Sequence, residues 1–458
     1  LKKLLIITPH FAPINAPDMH RVRMSLPYYR DKGWEPVIMC VDEKYVSGYR
    51  DNLLENTIPE NIRIIKVKAL PSKLTRLIGL GSLALRSLYY FKRAGDKLLK
   101  TEQFDLILFS TSLFQVCTLG RHWKKQYGVP FILDMQDPWR NDFHLNKPKS
   151  NRPAKFWFSY KLDKFLEAYT APHLDGILSV SQAYIDTLNE RYPETAGKPN
   201  LLLPFGASRN DFKVVSDENV PYSIIDKTKG KINVVYIGVL NQYFLPVIQA
   251  FFFAFIKSIE NHDEYHFYFI GTSYSQGASL KPVQTLARKL GIEKNVTEIP
   301  QRIPYLSALS TLQNADILFI PGSIDIDYNA SKIYNNIFSG TPIFSVFSNK
   351  SLVKKIIEES KAGIVVGIDK SDSLGDMTHK IISRMDGFKT LHLKRNVIPE
   401  SILANYDSKE MVDKQTALFH KVIKVSKQQA RGSNHVESYI VKTVLAFILI
   451  YSFVKTII

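Results

Sequence analysis

The chain has 458 residues, 45% hydrophobic and 22% charged, an ordinary globular balance at a length that favours two domains over one core. Its net charge of +17 points to an anionic partner. Because it lacks zinc-finger spacing, an RNP-like aromatic motif and a helix-turn-helix signature, an anionic substrate or membrane surface is favoured over nucleic acid.

The start, LKKLLIITPHF, is basic and apolar but has no small-residue cleavage site, so it reads as a first strand rather than a leader. A helix is expected around MHRVRMSLPYYRDKG, then strands at PVIMCV and IRIIKV. A basic, apolar helical region follows, then the strand FDLILFS, a helix through TLGRHWKKQYG and the strand FILDMQ. LDGILSVS and NLLLPFG are further short apolar runs bounded by turn residues. The polar stretch 216–231 reads as a linker, and beyond it strands and helices alternate again from INVVYIG to AGIVVGI. This alternation predicts an α/β protein with parallel sheets in two halves, 1–215 and 232–402, facing each other across a cleft. Ligands in such sheets lie outside the carboxyl ends of the strands. Residues 403–425 read as a crossover helix and 426–458 as a basic, apolar tail. Cys40 and Cys117 lie in apolar runs, which excludes a disulfide framework and fits a reducing compartment.

YNASKIYNNIFSGTPIF, residues 328–344, follows the strand ADILFIPG, and Gly340 with Pro342 marks the end of a short helix. A helix starting near Ser331 would turn unpaired N–H groups, with Lys332, toward the cleft and a phosphate. The alternative is a capped connecting helix with a solvated lysine. Gly206 and Gly238 each follow an apolar run, where a small residue permits close approach of a ligand or a tight turn. His10 and His20 flank the first loop. Asp137 closes a strand, where it would orient an acceptor hydroxyl or cap the next segment. Trp139 offers a flat face for a sugar or a packing anchor. Arg21 and Arg140 are candidates for a pyrophosphate or acceptor charge.

SKIYNNIFSGTPI resembles the Ser-Lys-Leu-Phe-Glu-Tyr-Leu-Ala-x-Gly-x-Pro-Ile pattern of family 4 glycosyltransferases, retaining enzymes of the GT-B fold. HFAPINAPDMHRV is similar to the family's N-terminal loop, and PFILDMQDPWR to the Asp-x-Arg-Asp-Pro-Trp segment of a bacterial envelope-polysaccharide branch. ILSVSQAYIDTL, LPFGASRNDF and QRIPYLSALSTLQNADILFIPG continue the likeness in the family's order, to about residue 425. The resemblance implies two Rossmann-like doubly wound domains around a central cleft. It also implies transfer of a sugar from a nucleotide diphosphate donor to a cell-envelope polysaccharide or lipid-linked glycan precursor, with no cofactor and no metal.

On that likeness Asp327, Lys332 and Asp137 are the catalytic candidates. Gly238, Arg302, Asn329, Ser331 and Asn335 would bind the donor, and His10, Asn15, Arg21 and Trp139 would line the acceptor side. Asp325-Ile-Asp327 looks like a metal motif of a different topology and reads here as two loop carboxylates. The chain also departs from the family. Asp327 and Asn335 replace two Glu residues, and IGVLNQYF lacks the Arg and Lys that often clamp the diphosphate. Ser110, Thr111 and Ser112 stand where a donor-side His is common. These departures support the alternative of a catalytically weak nucleotide-sugar-binding or scaffold protein.

Residues 73–100 interleave seven cations with Leu, Ile, Tyr and Phe and carry one acid, Asp96. They read as an amphipathic helix for an anionic membrane surface, or as a packed helix with a solvated basic face. The tail at 439–458 has a 12-residue apolar run between Lys442 and Lys455, short for a span and suited to an interfacial helix. The expected location is cytoplasmic, attached peripherally to the inner face of the cell membrane.

Overall fold

The computed structural model describes residues 1–77, 81–142, 145, 148–149, 152, 156–217, 224–225, 230–240, 243–273, 277, 279–322 and 332–430. Within these residues the first half contains β1 (Lys2–Ile7), α1 (His20–Tyr29), β2 (Trp34–Val41), β3 (Arg63–Val67), α2 (Ser72–Leu77) and α3 (Leu83–Thr101). It continues through β4 (Leu106–Ser110), α4 (Thr118–Tyr127), β5 (Phe131–Met135), α5 (Phe156–Thr170), β6 (Gly176–Ser179), α6 (Gln182–Arg191) and β7 (Asn200–Leu202). The second half runs α7 (Arg209–Asp217), β8 (Ile232–Ile237), α8 (Leu245–Ser258), β9 (Tyr265–Ile270), α9 (Pro282–Lys289), β10 (Val296–Ile299) and α10 (Tyr305–Asn314). Then come β11 (Ile317–Pro321), α11 (Ile333–Phe338), β12 (Ile343–Ser348), α12 (Leu352–Ser360), β13 (Gly363–Ile368), α13 (Leu374–Ile382), α14 (Met385–Leu391) and α15 (Glu400–Leu403). The last described helix is α16 (Ser408–Ala430).

The strands form two parallel sheets, ordered β3-β2-β1-β4-β5-β6-β7 and β10-β9-β8-β11-β12-β13. Both faces of each sheet are covered, which is why the central strands are nearly continuous apolar runs such as LLII and ILFIP. In each sheet the direction of winding reverses beside the first strand, between β1 and β4 and between β8 and β11. Such a reversal opens a crevice at the carboxyl ends of those strands.

On one face of the first sheet, α3 to α6 bury Phe91, Trp123, Leu166, Ile185 and Leu188. On the other, α1 and α16 cover Leu4, Ile6 and Trp34. The second half is centred on aromatics: Phe251 stacks on Phe319 at 4.2 Å and meets the edges of Phe267 and Phe388.

The chain reaches the second half earlier than the expected linker, because Ala207, Phe212 and Val215 already pack in its core with Leu306 and Leu309. It returns beside its own exit. Ala207 N–H donates to the Tyr406 carbonyl at 2.9 Å, and Ser408 N–H donates to the Ala207 carbonyl at 2.9 Å. A Cβ on Gly206 would come within 2.3 Å of the Tyr406 carbonyl oxygen, so the close approach at this glycine is made by the returning chain. Helix α16 (Ser408–Ala430) packs back on the first half. Tyr29 donates to Gln415 Oε1 at 2.6 Å, Lys32 pairs with Asp413, and Phe419 sits edge-on to Trp34 at 5.3 Å. Of the expected tail, 431–458 lie outside the described residues.

Of residues 73–100, 73–77 lie in α2, 83–100 lie in α3 and 78–80 lie outside the described residues; α3 resolves the two readings of its part of this stretch. Its apolar side (Leu83, Ala84, Phe91, Leu98 and Leu99) is in the core. Arg86 is buried and donates to the carbonyls of Leu70 and Tyr45. The helix is therefore a packed one with a solvated basic face, and its apolar side is not open to a bilayer. Among the described residues no helix is long and apolar enough to cross a membrane.

Candidate donor and acceptor site

Lys332 immediately precedes α11, so the helix starts later than Ser331, which lies outside the described residues together with Asp325, Asp327 and Asn329. The Lys332 ammonium reaches back across the second sheet to the end of β8. A Cβ built on Gly238 would come within 2.4 Å of Lys332 Nζ and 2.8 Å of Tyr236 Oη. Burial first, and then the positive charge of Arg302, lower the Lys332 pKa to about 8. The residue as a whole is exposed, while its ammonium end lies against Gly238 and Tyr236. An ammonium partly stripped of water, with a second positive charge acting on it, is a group that an anion would stabilise.

Arg302 lies in the loop after β10, and its charge acts on Lys332, on His20 and on Tyr49. It thus stands between the halves. Asn335, on α11, hydrogen-bonds Tyr305, and its Oδ1 is buried with no hydrogen-bond partner among the described residues.

On the first-half side the loop after β1 is organised by Asp18. This buried carboxylate lies 3.0 Å from His10 Nδ1 and accepts from Thr111 Oγ1 at 2.9 Å and from the Ser112 N–H at 3.2 Å. Burial alone would raise its pKa, but His10, Thr111 and Ser112 together hold it below the usual carboxylate value. Thr111 and Ser112 therefore fix the His10 loop. Asp137, after β5, is solvent-exposed, and its pKa is raised by partial burial and then by the charge of Asp18. Asp18 and Asp137 therefore act on each other electrostatically.

Asn15 is a bracket between loops: its Oδ1 lies 3.0 Å from His20 Nε2 and its Nδ2 donates to Asp51 at 3.4 Å. Burial, then Arg23, lowers the His20 pKa to about 3, so this ring is neutral. Asp51 in turn accepts the Tyr305 N–H at 2.5 Å, joining the halves directly.

Two candidates turn inward instead of lining a surface. Arg21 is buried, with Nε 3.1 Å from Asp134 and a bond to the Leu203 carbonyl at 2.8 Å, so it pins α1 to the first sheet. Trp139 is 5% exposed and stacks on Phe114 at 5.4 Å and 15°, making it the packing anchor of the two roles open to it. Arg140 is drawn into a network in which Arg191 binds both Glu167 and Asp142. The sequence reading missed Asp18 and Tyr305. Asp18 carried one usable signal, a carboxylate next to the start of a helix at the carboxyl end of β1.

The sequence matches no family model and no curated protein. Solved structures resemble it over nearly its whole length. Trehalose-6-phosphate synthase from Burkholderia multivorans superposes with a TM-score of 0.57 at 11% identity, covering 95% of this chain and 100% of that one. Sucrose-phosphate synthase from Thermosynechococcus elongatus gives 0.52 at 11% identity, covering 94% and 100%. An Anabaena protein solved with UDP and glucose gives 0.52 at 11%, covering 93% and 100%. With two wound parallel sheets opening their switch points on one cleft, the chain has the GT-B fold.

Proposed function

We propose that the protein is a glycosyltransferase that moves a sugar from a nucleoside diphosphate donor to a cell-envelope polysaccharide or lipid-linked glycan precursor. The observation that carries this reading is the cation pair of Lys332 and Arg302, with the Lys332 ammonium over Gly238. As the bond to the sugar breaks, negative charge builds on the leaving diphosphate, and fixed cations in a cleft lower the energy of that state. Asn335 would meet the ribose hydroxyls and Asp327 the sugar, with Asn329 and Ser331 beside the phosphates. His10 and Asp137 would face the acceptor. The likeness to family 4 enzymes supports retention of anomeric configuration, with the leaving diphosphate taking the acceptor proton.

The test is a thermal-shift screen of nucleotide sugars, then an assay for nucleoside diphosphate release with membrane extract as acceptor. Stabilisation by one donor and acceptor-dependent release are expected. Donor binding without release in any extract would leave a nucleotide-sugar-binding protein.

A further inference from the structure

Helix α5 has its polarity reversed. Both of its carboxylates face inward: Asp163 is half-buried and accepts from Gln115 at 2.8 Å, and Glu167 is buried against Arg191 and Tyr192. Its outer stripe at helical spacing is Trp157, Lys161, Lys164, Phe165 and Ala168, with Phe158 alongside. Trp157 is 66% exposed, Phe165 51% and Phe158 37%. Lys161 Nζ lies 5.8 Å from the Trp157 ring, which meets Phe158 edge-on at 5.9 Å. An ordinary surface helix hides its aromatics and shows its acids.

The surroundings select the partner. On the same face of the sheet, α3 exposes Arg93, Lys97 and Lys100, and α4 exposes Lys125. Among the described residues of α3, α4 and α5 no acidic side chain is exposed. The patch ends at α6, where Asp186 and Glu190 are exposed. A second copy docked by this surface would oppose cation to cation. Anionic lipid headgroups complement it, since aromatic rings settle at the bilayer interface while lysines reach the phosphates. Helix α5 follows β5, whose carboxyl end carries Asp137, so Trp157 and Phe158, in its first turn, stand at the cleft edge of the layer.

We propose that the outer face of α5 docks on a bilayer bearing anionic headgroups, with Trp157, Phe158 and Phe165 entering the interface and Lys161 and Lys164 meeting the phosphates. This deepens the lipid-linked-acceptor reading and rests on it, because such docking brings the cleft to the surface where that acceptor lies.

The four tryptophans give a site-specific probe. Trp34 and Trp123 are 0% exposed and Trp139 is 5% exposed, so interfacial quenching reports Trp157. The full chain is titrated with vesicles of brominated phosphatidylglycerol and phosphatidylethanolamine, and with brominated phosphatidylcholine alone. A blue shift and quenching with the anionic vesicles are expected. The pair Lys161→Glu and Lys164→Glu should lower apparent vesicle affinity by about tenfold or more with an unchanged melting temperature. Co-sedimentation with vesicles but an unaltered Trp157 signal would overturn the proposal, showing that another part of the chain holds the membrane. A concentration-dependent shift without lipid would overturn it in favour of self-association. Transfer to a lipid-linked acceptor without a Trp157 response removes α5 docking alone. A Trp157 response with transfer only to soluble glycans upholds docking and removes the lipid-linked acceptor.

Discussion

Lys332 Nζ fills the space that a side chain on Gly238 would need, 2.4 Å from the position of its Cβ. The segment after β8, IGVLNQYF, has neither of the cations that the resemblance leads one to expect there. Positive charge nevertheless reaches that point from the start of α11, through Lys332, on which the charge of Arg302 in the loop after β10 also acts. The bare glycine is what gives the ammonium room.

Gly238→Ala should therefore disturb binding more than folding. The new methyl meets the mobile end of Lys332 and the Tyr236 hydroxyl at 2.8 Å. Calorimetric titration should show nucleoside diphosphate affinity down by about tenfold, one charge-assisted contact displaced. The melting temperature should barely move. A large fall in melting temperature at unchanged affinity would make this glycine a purely structural one.

Lys332→Ala should cost about 1.5–3 kcal/mol of diphosphate binding and little for the bare nucleoside. The sign of the pH effect follows from the lowered pKa. The unbound ammonium is charged below about 8 and loses its proton as pH rises through that value. Affinity of the native protein for the diphosphate should therefore decline across that range, and the decline should be absent in the alanine variant. Equal pH profiles for the two proteins would remove Lys332 from the site.

Arg23 is fully buried, grips both Asp211 oxygens at 2.8 and 2.7 Å, and lies 5.0 Å from the Tyr305 ring. Burial works against its charge, and Asp211 more than offsets that. Arg23→Met would strand a buried carboxylate, at about 3–5 kcal/mol in urea denaturation. Adding Asp211→Leu should recover a large part of the loss, which a simple cavity effect would not allow.

Asn335→Glu introduces the residue that the resemblance leads one to expect. If the amide serves as the ribose contact, turnover should stay within about an order of magnitude, since a carboxylate also accepts from hydroxyls. A large gain in turnover would mark the native site as degenerate. The readout is diphosphate release at saturating donor.

Deleting 432–458 should leave the fold intact, because among the described residues of α16 the last buried one is Ile423. A melting temperature lowered by many degrees would show that the deleted segment packs on the body.

The strand pattern was legible because parallel strands buried on both faces write unbroken apolar runs. Sheet order was not, since β3 and β4 are consecutive yet lie three positions apart. The same blindness hid Asp18, whose meeting with Thr111 and Ser112 depends on β1 lying next to β4. Arg21 and His10 looked alike as polar residues near one loop, but the turn of α1 carries Arg21 to Asp134 while His10 stays on the loop. Composition misled in α3, where buried Arg86 counted as a surface cation. It was silent in α5, where FWFSYKLDKFLEAYT has aromatics on both sides and only packing decides which are exposed.

The seat of α16 has a consequence for synthesis. The buried members of the second half's core lie between Ala207 and Phe388, so most of that core has been made once this stretch has left the ribosome. The half translated first has no such independence. Leu4, Ile6 and Trp34 are covered by Val412, Phe419 and Val422, which emerge hundreds of residues later. Through that interval the part of this sheet face that α1 does not cover stands open on the nascent chain, a surface for a chaperone to hold. The first half to be made is the last to close.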